Sequence, residues 1–282
     1  MNKRELSEKL KEDILSLRAV GGGSIANAML AESSVGNKFF VKSYTFADPL
    51  ILKNEVNGLK ELRRANAVKV PEVIYWDDQY LVLEFIAEGR RRKDFWELFG
   101  RQFAALHKIT GKSFGFFENN FIGATPQINL PRSNSWCEFY WRNRLLYQIE
   151  LMRKNGYLDS GLRKMFLKLE SKMDEIIPED AEPPCLLHGD LWSGNFMVDI
   201  EGNPVLIDPA VYYGNREADL AMTKLFGGFD SRFYAAYNEA FPFKEGWEYR
   251  EPVYKLYHVL NHVNLFGGGY LSQAKRILEY YQ

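Results

Sequence analysis

The sequence predicts an α+β protein in two lobes, a small antiparallel sheet with one inserted helix over residues 1–88 and a mainly helical part over residues 89–282. Three observations carry that expectation. Short runs rich in aromatic and β-branched residues crowd the N-terminal part. From Asp94 onward, apolar residues recur at spacings of three and four, the helical period. Between those helices, CLLHGDLWSGN, Cys185 to Asn195, follows an apolar run with a cluster of polar groups.

The N-terminal MNKRELSEKLKEDILSLRAV is charged throughout and sets Leu6, Leu10, Ile14 and Leu17 at helical spacing, so it reads as an amphipathic helix. AVGGGSIANAMLAES reads as two strands around a glycine turn, and KFFVKSY as a third. A helix follows from about Pro49 to Arg64, and VPEVIYWDD and YLVLEFI supply two more strands. The boundary falls near Ala87 to Gly89. FWELFGRQFAALHKI, SWCEFYWRNRLLYQIELMRK and LRKMFLKLESKMDEI then read as long helices, separated from DLAMTKLF by the hairpin-like FMVDIEGNPVLID.

Composition narrows the function. With 46% hydrophobic and 26% charged residues the chain is ordinary globular protein. A net charge of -1 and a pI near 6.5 give no general attraction to nucleic acid or a membrane surface. No apolar run approaches the roughly 20 residues that span a bilayer, and the N-terminus lacks a signal peptide's apolar core. A cytoplasmic protein is expected. Cys137 and Cys185 cannot build a disulfide framework and form no C-x-x-C pair, so they read as reduced core thiols.

Phosphoryl transfer needs metal ligands on the nucleotide phosphates, a cation that positions them, and a carboxylate that takes the acceptor's proton. Each has a candidate here. HGDLWSGN places Asn195 five residues after Asp190, the spacing of a protein-kinase catalytic loop. Asp190 is the expected base and Asn195 an expected Mg²⁺ ligand; folding FMVDIEGNPVLID into a hairpin delivers Asp208 as the second. Lys42 lies in an apolar strand and Glu55 on the inward face of the next helix, where a carboxylate needs a partner. That pair would hold the lysine against the α- and β-phosphates of ATP. Gly21, Gly22, Gly23 and Ser24 let the backbone approach those phosphates, and Glu84, Phe85 and Ile86 offer backbone groups to adenine. His188 reads as a structural histidine, since Asp190 is the better base.

HGDLWSGN followed by VLIDPAVYYGNREADLAMTKLFGGF closely resembles the fructosamine kinases, also called ketosamine-3-kinases, within the aminoglycoside phosphotransferase-like branch of the protein-kinase fold. LHKITGKSFGFFENNFIGATPQINL and SWCEFYWRNRL resemble the family too, so the likeness spans nearly the whole chain. The resemblance implies ATP-dependent phosphorylation of the 3-hydroxyl of a ketose attached to an amine, after which the adduct releases the amine. It assigns Asp190 as proton acceptor, Asn195 and Asp208 to metal, and Lys42 and Glu55 to the ion pair. Trp192 becomes a sugar-stacking surface, Arg216 and Glu217 substrate or loop-ordering residues, and Asp219 a brace that accepts backbone N–H bonds from the catalytic loop. Two departures stand out. Several members carry a linking cysteine in the Gly-rich loop where this chain has Ser24, so no redox switch is expected there. Asn215 replaces the His frequent in YYGHRE.

Other features take plainer readings. His258 and His262, four apart on one helical face, lack an evident third metal ligand and read as core or helix-surface residues. Arg90 to Lys93 reads as a solvated basic face, with ATP or an acidic protein as the alternative contact. His107, Trp136, Tyr140 and Trp141 fit core positions. Two rival functions stay open: an aminoglycoside- or choline-type kinase, which would want an acidic acceptor pocket, and a silent pseudokinase scaffold, which would normally lack one of the catalytic groups.

Overall fold

The computed structural model describes residues 2–21, 27–43, 48, 50–178 and 182–282. Helix α1 (Lys3–Leu10) is capped by Asn2, whose side chain accepts from the Glu5 amide at 2.9 Å. It ends at Lys11, which takes a left-handed φ of 56°. The expected helix therefore stops early, and Ile14 and Leu17 belong instead to strand β1 (Ile14–Ala19). The cause is local: a register shift between Ile14 and Ser16 returns Ile14 and Leu17 to one face of the sheet, so a bulged strand imitates the helical spacing.

Strands β2 (Asn27–Ser33) and β3 (Lys38–Ser43), helix α2 (Leu50–Ala65), and strands β4 (Val73–Trp76) and β5 (Tyr80–Glu84) follow. The strands form one antiparallel sheet in the order β1-β2-β3-β5-β4. One face packs Ala31, Phe39, Val41 and Val82 against Leu6 of α1. On the other, Leu81 and Leu83 join Leu52, Val56 and Leu59 of α2 in the core that runs on into the helices.

The next elements are α3 (Phe95–His107) and the hairpin β6 (Asn120–Ile122)–β7 (Thr125–Gln127). A continuous helix comes after them: α4 (Trp136–Phe139), a π-wound stretch Tyr140–Leu146, and α5 (Tyr147–Lys154). Helices α6 (Ser160–Glu170) and α7 (Met173–Ile176) lead to β8 (Cys185–Leu187). Hairpin β9 (Phe196–Val198)–β10 (Pro204–Leu206) then gives way to β11 (Tyr212–Gly214), which pairs antiparallel with β8. The chain ends in α8 (Arg216–Thr223), α9 (Ser231–Ala240), α10 (Trp247–Phe266) and α11 (Gly269–Tyr280). Cys137 and Cys185 are buried, and Trp136 and Tyr140 are core residues with Trp141 packed against them, as expected. No helix among the described residues is long and apolar enough to cross a membrane.

Helices α3 and α9 pack through Phe99 and Phe233, whose ring centroids lie 5.2 Å apart. Gly100 makes that approach possible, because a Cβ there would stand 2.3 Å from the Phe233 carbonyl oxygen. Backbone cannot yield as a side-chain tip can. Gly100→Ala is expected to lower unfolding free energy by about 1–3 kcal/mol through overpacking, read as a lower urea midpoint at unchanged slope; an unchanged midpoint would contradict this contact.

Candidate active site

Strand β8 delivers His188, Gly189 and Asp190 to the base of a cavity of about 510 Å³ between the sheet and the helices. Gly189 is obligatory there: its φ is 85°, and a Cβ would fall 2.0 Å from the Ala210 carbonyl oxygen. Asp219, in the first turn of α8, accepts from the His188 amide at 2.7 Å and the Gly189 amide at 2.8 Å, and contacts His107 Nε2 at 3.2 Å. These bonds tie the loop after β8 to the first turn of α8. Asn215 caps α8 by accepting from the Glu217 amide at 2.8 Å.

His188 is fully buried and carries a second tie. Its Nε2 donates to the Ile207 carbonyl at 3.0 Å while Nδ1 accepts from the Asp190 amide at 3.3 Å, which locks the loop to the residue before Asp208. Those bonds require a neutral ring, and burial does lower its pKa. Hairpin β9–β10 brings Asn195 to Asp208, with the Ile207 amide donating to Asn195 O at 3.1 Å. The Asn195 side-chain amide donates to the Asp190 carbonyl at 2.8 Å and to its carboxylate at 3.1 Å, which leaves Asn195 Oδ1 for a hard cation. Asp208 holds an uncommon positive φ of 53°.

The donor set fits Mg²⁺. Among the described residues no three His, Cys, Asp or Glu cluster as a self-sufficient metal cage. Asn195 and Asp208 offer a few oxygens beside an open cavity, the form in which Mg²⁺ keeps waters and shares phosphate oxygens.

On the sheet side, Lys42 Nζ lies 2.7 Å from Glu55 Oε1 and also bonds Asp208. Lys42 and Glu55 are 7% and 8% exposed, so each needs the other. Burial raises the Glu55 pKa, against the pull of Lys42. Asp190 is likewise pushed well above its ordinary range, first by burial and then by the charge of Asp208. A cation on Asp208 would offset the second cause.

Gly21, Glu84, Phe85 and Ile86 line the cavity. The Glu84 amide already donates to Glu72 O at 2.8 Å, so that amide is not among the donors open to the cavity. Gly22, Gly23 and Ser24 lie outside the described residues. Trp192 lines the cavity two residues after Asp190, and Gly194 makes room for its ring, since a Cβ there would meet the indole at 2.5 Å.

Of the two readings of Arg216 and Glu217, substrate contact and loop ordering, their placement corrects the first and agrees with the second. Neither lines the cavity: they are 1% and 2% exposed and spent on internal ion pairs. Arg216 bonds Glu182 at 2.8 Å and the Phe241 and Pro242 carbonyls, while Glu217 takes two 2.7 Å bonds from Arg250. They order the fold beneath the site, and a direct contact to substrate is excluded by burial.

The sequence reading missed α10. His258 is 3% exposed and sets Nδ1 3.9 Å from Asp190 Oδ1. Burial takes its pKa down to about 3, so this is a neutral contact and not an ion pair. His262, one turn on, lines the cavity, as do Asn120 to Gly123 of the β6–β7 hairpin. The spacing of the histidines was visible; nothing in it placed α10 beside the base.

A five-stranded sheet over helices, with a lysine–glutamate pair, a loop carboxylate, and an Asn and Asp joined by a hairpin, defines a phosphotransferase of the protein-kinase-like fold. The fructosamine kinase family model matches residues 1–281. A chloroplastic protein-ribulosamine 3-kinase of Arabidopsis thaliana is 40% identical over 98% of this chain and 85% of its own. A Synechocystis protein named "probable ketoamine kinase" is 39% identical over 93% and 88%. The solved structure of a candidate fructosamine-3-kinase from Thermobifida fusca superposes with a TM-score of 0.91 at 34% identity, covering 99% of this chain and 97% of that one. The chain belongs to the fructosamine kinase family.

Two outcomes test the site. Lys42→Met should retain the fold, because Glu55 can take a proton, yet lower kcat by roughly 100-fold or more; full activity would refute the ion-pair role. The second concerns acid stability. Burial is the first cause lowering the pKa of His107, His188 and His258 from an unfolded value of 6.5. Above that value both states are neutral; below it the unfolded chain takes protons that the folded chain refuses. Asp190 and Glu55, whose pKa values burial raises, act in the opposite sense over the same range, so the histidine contribution is read by difference: from about pH 7 to about 5 the urea midpoint of the unsubstituted chain should fall relative to that of His258→Gln, and a difference independent of pH would refute the neutral assignment of His258.

Proposed function

We propose that this chain is an ATP- and Mg²⁺-dependent ketosamine 3-kinase that phosphorylates the 3-hydroxyl of ribulosamine or fructosamine adducts. The observation that carries the reading is the meeting of Lys42, Glu55, Asp190, Asn195 and Asp208 in one cavity of a chain that matches the family over residues 1–281. Residues 1–88 form the nucleotide lobe and residues 89–282 the catalytic lobe. The backbone of Glu84, Phe85 and Ile86 holds the adenine, and Lys42, held by Glu55, positions the α- and β-phosphates. Trp192 stacks on the sugar. Asp190 accepts the proton of the 3-hydroxyl as that oxygen bonds to the γ-phosphorus and the bond to the leaving ADP oxygen breaks. Mg²⁺ on Asn195 and Asp208 would neutralise charge on the phosphate oxygens. The raised pKa of Asp190 brings its basicity toward the range where proton transfer is efficient. The 3-phosphate product then releases its amine, which is deglycation. Two buried cysteines, too few for a disulfide framework, suit a reducing compartment, and we assign the cytoplasm.

The test is ADP release with Mg-ATP against ribulose-lysine, fructose-lysine, kanamycin and choline. Turnover is expected on the ketosamines alone, with Asp190→Asn reduced roughly 100- to 10,000-fold. Activity on kanamycin or choline only would keep a kinase and discard the acceptor; silence on all four would favour the scaffold.

A further inference from the structure

His258, in the middle of α10, is 3% exposed, and its Nδ1 makes no hydrogen bond among the described residues. That nitrogen stands 3.9 Å from Asp190 Oδ1. The other carboxylate oxygen, Oδ2, accepts from the Asn195 side-chain amide at 3.1 Å, whereas no donor among the described residues bonds Oδ1. A buried ring nitrogen left without a partner destabilises the fold, and an apolar side chain of similar size would avoid that penalty. The polar atom is kept, and it faces the carboxylate that the chemistry needs.

The ring is held from its own helix. Tyr257 Oη donates to Gln127 Oε1 at 2.9 Å, and His262 Nδ1 donates to the His258 carbonyl at 2.8 Å. Roughly two turns earlier, Arg250 ties α10 to Glu217 of α8 through two bonds of 2.7 Å. The charged and titratable groups around the ring are Asp190 on the catalytic loop, Asp219 on α8, Arg144 on the π-wound stretch and His262 on α10. None of them bonds Nδ1. The tautomer follows from the nearest neighbour: a lone pair aimed at a carboxylate is repelled, so the proton of the neutral ring belongs on Nδ1. The separation exceeds the roughly 3 Å of a hydrogen bond, and bonds to a catalytic base are commonly long until the substrates are seated. A small rotation of the Asp190 side chain closes it.

We propose that His258 is a positioning residue for the base: with nucleotide and acceptor bound, its Nδ1–H donates to Asp190 Oδ1. The proposal rests on the reading of Asp190 as the base given above. Asn195 then holds one oxygen and His258 the other, which fixes the carboxylate plane and the direction in which its remaining lone pairs meet the acceptor hydroxyl. The hydroxyl proton goes to Asp190, and His258 takes none. His258 does not line the cavity, so it acts through Asp190 and not on the substrate. A helix holds such an angle more closely than a loop does.

The experiment measures kcat and the KM values for Mg-ATP and acceptor, with ribulose-lysine and fructose-lysine, in the unsubstituted enzyme, His258→Asn, His258→Gln and His258→Leu, with a urea midpoint for each. Counted in bonds from Cβ, the Asn amide nitrogen stands where Nδ1 does and the Gln amide nitrogen where Nε2 does. His258→Leu and His258→Gln should lose roughly 10- to 100-fold in kcat with KM values held within about twofold, and His258→Asn should stay within about fivefold of the unsubstituted enzyme. Packing alone predicts the reverse order, because Asn leaves the largest cavity of the three. Where His258→Leu does not fold, the Asn and Gln pair decides. Equal kcat in that pair, kcat values that follow the urea midpoints, or a loss confined to KM overturns the positioning role and leaves the kinase reading intact. Absence of turnover by the unsubstituted enzyme on both ketosamines overturns the kinase reading and this role with it.

Discussion

Asp219 is a buried carboxylate with donors aimed at it from two sides, and the catalytic loop has its shape because of that. A charge 1% exposed costs several kcal/mol by order of magnitude unless fully satisfied. The amides of His188 and Gly189 and the ring of His107 supply that satisfaction, and the N-terminal turn of α8 adds its dipole. The demand runs both ways: the loop amides have no other partner at that depth, so loop and helix fix each other. Arg216 and Glu217, in the same turn, are tied to Glu182 and Arg250 by buried pairs that keep α8 from shifting. The READ segment is therefore a structural foundation whose consequences are catalytic.

From that foundation the chemistry reaches the sheet through one cation. Lys42 touches Glu55 on α2 and Asp208 after β10, so the proposed nucleotide and metal sides share a side chain. Two carboxylates, Asp190 and Asp208, face one cavity, and burial with mutual repulsion holds Asp190 toward its protonated form. A cation on Asp208 would remove the second of those causes and leave the first, burial, in place, so it would lower the Asp190 pKa in part. His188 enforces the spacing of the pair by bonding both the Asp190 amide and the carbonyl that precedes Asp208.

Much of this was legible in the residues. The order of strands and helices followed from periodicity, and Lys42, Glu55, Asp190, Asn195 and Asp208 followed from the requirements of phosphoryl transfer, because chemistry dictates residue types at fixed spacings. Errors arose where a local pattern had two physical causes. Ile14 and Leu17 sit three apart either on a helix or across a bulge, and only pairing with β2 decides between them. Arg216 and Glu217 carry charges that suit a substrate or a buried partner equally well; their partners, Glu182 and Arg250, lie more than thirty residues away.

By itself, then, the sequence determined the two-lobed α+β class, the family and the residues of the candidate constellation, since each is written in short-range spacing and in residue chemistry. The tertiary structure alone decided what stands around that constellation. It set α10 beside the base, sent the charges of α8 inward, and gathered Trp192, Phe226, His262 and Phe266 from distant segments into one wall. Such neighbours are chosen by the packing of whole helices, and no local period records which helix will lie against which loop.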